Sequence, residues 1–193
     1  MDDELKNKLN DPKNFKMFRN LIPVSSKSEL VNIIKKSIDK IGISGNYNWI
    51  DTSGVDDMSW IFSNDSTFTH NIGYFNGDIS LWDMSNVKIA NGMCCDSALT
   101  CDVSKWDVSN LREAAYMFAY TPVDYDVSKW NVSNLVNGYR MLYYTKSSCD
   151  VSQWDISSLK KYKDMFAGTH IDQRCVDNWN IPDKHELFIA SYY

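Results

Sequence analysis

Apolar positions recur along this chain in files. Trp82, Trp106, Trp130 and Trp154 lie 24 residues apart, and Trp179 follows after 25. An aliphatic stands three before each Trp: Ile79, Val103, Val127, Val151 and Val176. Another lies two after it (Met84, Val108, Val132, Ile156), and a third five after (Val87, Leu111, Leu135, Leu159). Farther on come Met93, Met117, Met141 and Met165, followed by Cys94, Phe118, Leu142 and Phe166. One such unit cannot bury its own apolar face, whereas stacked units share a continuous core.

Within a unit, "VSKWDVS" alternates like a short strand, with Trp106 and Val108 on one face. "SNLREAAYMF" then changes period. Leu111, Ala114, Met117 and Phe118 form a helical stripe, and Ser109 stands where an N-cap belongs. Ser85, Ser133 and Ser157 repeat that placement. The pattern predicts an α/β solenoid over residues 46–180. It would be a leucine-rich-repeat-like stack of about five to six coils, each a short strand plus a short helix. Gly138 beside Tyr162 reads as size compensation between adjacent coils.

The ends read as caps. Residues 1–45 form an N-terminal helical cap. In "SKSELVNIIKKSIDKIG", Ser26 and Glu29 have capping-box spacing; Leu30, Ile33, Ile34, Ile38 and Ile41 share one face; Gly42 is a stop. Residues 181–193 form a C-terminal cap with a short helix. The first return loop, "SNDSTFTHNIGYFNG", is longer than the others and carries a lone His70.

Composition narrows the function classes. Among 193 residues, 44% are hydrophobic and 23% charged, as in a globular protein. A net charge of −5 and a pI near 5.1 argue against nucleic-acid binding. No run of about 18 apolar residues exists, so no membrane span is expected. The polar start, "MDDELKNKLNDPKNF", has neither basic nor apolar signal regions. The expected location is therefore intracellular: a bacterial cytoplasm, or a host cell or virion for a viral protein. A surface location would require a removed signal. Five Cys, an odd number without paired spacing, read as reduced thiols and not as a metal site.

Carboxylates also recur in columns: Asp78, Asp102, Asp126 and Asp150, then Asp83, Asp107, Asn131 and Asp155. Like charges stacked ~4.8 Å apart repel. Turn bracing by Asx-type hydrogen bonds explains them better than a calcium ladder, because calcium-type loop glycines are missing. Nucleophile-elbow, phosphate-loop, zinc-protease and dinucleotide fingerprints are absent too. The expectation is a non-enzyme with no cofactor.

"NWIDTSGVDDMSWIF", "DISLWDMSNV" and "DVSKWDVSNLREAAYMF" resemble the BspA-like leucine-rich surface-protein repeats, also known as a domain of unknown function in mycoplasma lipoproteins. The resemblance covers roughly residues 45–180. It implies a bacterial or large-DNA-virus source and a protein-binding role. The chain departs from surface members in lacking a lipoprotein Cys, and its later units lose the family's Thr-Asp-Met.

Positions flanking the apolar columns should face outward. They and the loop starts supply a candidate protein-binding set: Trp60, Tyr116, Tyr120, Tyr139, Arg140, Tyr143 and Tyr144. Exposed Trp, Tyr and Arg are the residues that protein-contact hot spots use. The leading expectation is thus a non-enzymatic scaffold for an unidentified protein partner, acting through an aromatic-rich helix and loop face. The alternative is a structural subunit of a virion, surface layer or other assembly, since open ends favour self-association.

Overall fold

The computed structural model describes residues 21–63 and 74–190. The segment before Leu21, the centre of the long first loop with His70, and the last three residues lie outside the described residues.

Among the described residues there is one α-helix, α1 (Lys27–Ile41). The Ser26 hydroxyl accepts the Glu29 amide at 3.3 Å. The Glu29 carboxylate reaches back to the Ser25 amide at 2.9 Å and its hydroxyl at 3.0 Å, so the box closes one residue early. Gly42 ends the helix with φ +76°, donating its N–H to Ile38. Leu30 and Ile34 are fully buried on the inner face. Strand β1 (Ile22–Pro23) pairs in parallel with β2 (Ile50–Asp51) in a two-stranded sheet. Two short 3₁₀ segments, Gln173–Val176 and Lys184–Leu187, close the chain's C-terminal part.

This corrects the expected α/β solenoid. Among the described residues there is one α-helix and one sheet of two-residue strands, so no 24-residue unit holds its own strand and helix. The "REAAYMF" stripe forms tight turns instead. Tyr116, Tyr120, Arg140, Tyr144 and Asp164 all have φ between +52° and +60°. A left-handed residue every fourth position cannot be part of an α-helix, because the left-handed form crowds Cβ against the next carbonyl. The amides are also committed elsewhere. Ala114, Tyr116, Phe118 and Tyr120 donate to the carbonyls of Asn137, Tyr139, Met141 and Tyr143, at 2.8–3.0 Å. Between them, Met117 and Ala119 close turns on Ala114 and Tyr116 at 3.1 Å.

Single parallel bridges join the units: Asp57 to Ile89, Ile89 to Glu113, Glu113 to Asn137, and Asn137 to Lys161. On the opposite side the tryptophans replace backbone pairing. Four buried indole N–H groups donate to a carbonyl of the preceding unit: Trp82 to Tyr47, Trp106 to Ile79, Trp130 to Val103 and Trp154 to Val127, at 3.0–3.3 Å; the buried Trp179 indole N–H makes no such bond among the described residues. A Trp satisfies its polar edge while burying its ring, which suits this position. Val103, Val108, Leu111, Met117 and Phe118 are buried beside their counterparts in one continuous core. Gly138 makes room for Met165, whose Cε lies 2.9 Å from where a Cβ would stand, and not for Tyr162 as its column suggests.

The carboxylate columns brace their own turns. Asp102, Asp107, Asp126, Asp150 and Asp155 each accept the amide of the serine two residues on, at 2.8–3.0 Å. Asn131 does the same for Ser133 at 3.2 Å.

Candidate protein-binding face

Tight turns set two files of left-handed residues side by side. One runs Trp60, Gly92, Tyr116, Arg140, Asp164; the other runs Asp96, Tyr120, Tyr144, Gly168. The larger side chains lean on the glycines of their own file. A Cβ at Gly92 would stand 2.2 Å from the Trp60 ring, and one at Gly168 would stand 2.8 Å from the Tyr144 ring.

The first file carries an ion pair. The Arg140 guanidinium donates to the Asp164 carboxylate through Nη2 at 2.8 Å and Nε at 2.9 Å. The Asp164 side chain has no exposure, and that of Arg140 has 14%. Burial by itself would lower the Arg140 pKa, but the bond to Asp164 and the nearby tyrosines outweigh it and raise the value. Three rings surround the cation. Its central carbon lies 4.8 Å from the Tyr143 centroid, 5.1 Å from Tyr139 and 5.8 Å from Tyr116. These are cation–π distances. Tyr116 meets Tyr139 edge-on at 5.2 Å.

The second file presents rings to solvent. Tyr120 and Tyr144 stack at 5.8 Å with planes 20° apart. The Tyr143 ring stands edge-on beneath both, 5.3 Å from Tyr120 and 4.7 Å from Tyr144. Tyr143 forms a small core of its own with Ala119 and Ala167.

The structure sorts the candidate residues by exposure. Tyr120 is 53% exposed and Tyr144 42%. Tyr116, Tyr139 and Arg140 are half-buried, and Tyr143 is buried at 4%. Tyr143, placed among the outward positions by its sequence column, lies beneath the exposed Tyr120 and Tyr144 rings. Trp60 is half-buried over Gly92, farther up the first file from the tyrosine cluster. Asp164 went unread in the sequence. The period held its signal, since Arg140 and Asp164 stand 24 residues apart in one column.

Burial first, and then the bond to Tyr116, pushes the Tyr139 hydroxyl up to about 12. Burial also raises Tyr143. Neither phenol is poised to exchange a proton near neutral pH. Burial likewise pushes the Cys101 thiol up to about 11. Among the described residues, no group of three or more His, Cys, Asp or Glu side chains is placed to hold a metal ion. No helix among them is long and apolar enough to cross a membrane.

Residues 34–78 and 73–179 match the model of a family described as Mycoplasma protein of unknown function, DUF285. No curated protein and no solved structure matches the chain.

Proposed function

We propose that this chain, which belongs to the DUF285 family of Mycoplasma proteins of unknown function, is a non-enzymatic scaffold that holds a protein partner against its tyrosine face. The observation that carries this reading is the Tyr120–Tyr144 pair. Both rings stand in solvent, yet stacking, the Tyr143 edge and the left-handed backbone hold them in place. Rings fixed before binding lose little rotamer freedom on contact, so more of their buried area becomes affinity. The finer resemblance to BspA-like repeats, carried by surface proteins thought to bind other proteins, supports the same reading. So does the use of the recurring carboxylates as turn braces, which occupies the groups best suited to acid–base work.

The test compares Tyr120→Ala/Tyr144→Ala with Leu81→Ala, a control on another exposed apolar residue. Partners are captured from the source cells, identified by mass spectrometry and titrated as purified proteins. The double variant is expected to lose about 30-fold or more in affinity, the size of a hot-spot loss. The control should bind as the parent does. Equal partner affinity in the parent and the folded double variant would contradict the proposal.

A further inference from the structure

The bridges between units repeat one hydrogen-bond pattern, and it stops short at one end. A carbonyl accepts two successive amides of the next unit: Asp56 from Lys88 and Ile89, Lys88 from Arg112 and Glu113, Arg112 from Val136 and Asn137, and Val136 from Lys160 and Lys161, at 2.8–3.1 Å. Two residues beyond each such carbonyl, an amide donates in return. Met58 donates to Ile89, Ala90 to Glu113, Ala114 to Asn137 and Gly138 to Lys161, at 2.7–2.9 Å.

The next members of this series are the Lys160 carbonyl and the Tyr162 amide. Neither has a backbone partner among the described residues. Pairing resumes immediately afterwards: Asp164 donates to Glu186, and Phe166 to Leu187 at 2.8 Å. The 3₁₀ segment Lys184–Leu187 thus covers part of the last unit and leaves a gap over Lys160–Tyr162. A cleft of ≈ 410 Å³ lies there, lined by Tyr139, Lys160, Lys161, Lys163 and Glu186 among others.

Polar side chains pair along this file. Asn137 Nδ2 donates to the Glu113 carboxylate at 2.9 Å, and Lys161 is the next member. Lys160 and Lys161 are both exposed. An additional member at this edge would therefore meet two lysines, with Lys163 and one carboxylate, Glu186, also lining the cleft, in a chain whose net charge is −5.

We propose that the gap takes an extended acidic segment of the partner protein, added as one more parallel bridge. Two successive amides of that segment donate to the Lys160 carbonyl. One of its carbonyls accepts from the Tyr162 amide, and its carboxylates face Lys160 and Lys161. Strand addition of this kind draws affinity from main-chain bonds and specificity from side chains. The inference rests on the partner-binding reading above and names the chemistry of the partner's segment.

The test uses the full chain, labelled with ¹⁵N, and a capped peptide Glu-Thr-Glu-Val-Glu as probe. The peptide should shift the Lys161 and Tyr162 amide signals and slow exchange of the Tyr162 amide. Lys160→Glu/Lys161→Glu should weaken binding at least ~10-fold. The same peptide with N-methylated amides should also bind at least ~10-fold more weakly, without any change to the protein. Unshifted Tyr162 at peptide concentrations on the order of 1 mM would overturn the proposal. So would equal shifts from the Lys-Thr-Lys-Val-Lys peptide. Partner capture that still depends on Tyr120 and Tyr144, with Tyr162 unshifted by the peptide, would sink this inference alone. Tyr162 protection with capture indifferent to the tyrosines would instead sink the tyrosine-face reading.

Discussion

Asp164 is a carboxylate without side-chain exposure that is paired with the Arg140 guanidinium. Two opposed terms meet here. Desolvating both charges costs several kcal/mol each, and their attraction and hydrogen bonds return about that much. The pair therefore adds little net stability, but breaking it leaves a buried charge exposed to a low dielectric. Arg140→Ala should cost about 3–5 kcal/mol, measured by urea unfolding. Arg140→Leu combined with Asp164→Leu should recover most of that loss. A loss below about 1 kcal/mol in the single variant would show that the carboxylate finds another partner or water. At the turns the logic is different, because the carboxylates are exposed. The amide and hydroxyl of the serine two residues on hold Asp102, Asp107, Asp126, Asp150 and Asp155 below the usual carboxylate range. A depressed folded-state pKa stabilises above the unfolded value of about 3.9 and ceases to do so as pH falls through the folded values. The urea midpoint should be level between about pH 7 and 5 and fall below about pH 4. Replacing these residues by Asn, as Asn131 already stands, should flatten the acid limb. An acid limb of unchanged slope in the multiple Asn variant would contradict the bracing account.

Between residue and molecule stands the tight-turn pair that replaces the expected helix. Gly92 tests it. The residue has φ +58° and lies against the Trp60 ring, so Gly92→Ala meets both left-handed strain and a clash. The expected loss is about 1–3 kcal/mol, and Trp60→Ala in the same chain should remove the clash part. An additive double variant would contradict the packing described. Helix α1 was legible in the sequence because Ser26, Glu29 and Gly42 carry local cap chemistry. The buried files were legible because period and hydrophobicity coincide at Trp106, Val108 and Leu111. The turn pair was not. Leu111, Ala114, Met117 and Phe118 have helical spacing, and the left-handed positions between units hold Tyr116, Arg140 and Asp164, residues that do not announce such a backbone. Gly92 and Gly168 mark those positions, but only two members of the files are glycine. For the candidate face, aromatic enrichment supplied the residues, while their division into exposed and buried rings depended on the turns.

At the scale of the molecule, three features act together. Trp82, Trp106, Trp130 and Trp154 bind their units to the one before, through indole bonds to backbone carbonyls. The alternate amides bind each unit to the next on the other side. The tyrosine face sits on that second set of bonds, so its geometry depends on them. Were residues 109–118 helical, their amides would bond within the unit and the files of Tyr120 and Tyr144 would not form. Through-hydrogen-bond scalar couplings measured by NMR on the full chain read this directly. The account predicts couplings from the amides of Ala114, Tyr116 and Phe118 to the carbonyls of Asn137, Tyr139 and Met141. Couplings from those amides to carbonyls four residues earlier in the same unit would contradict it.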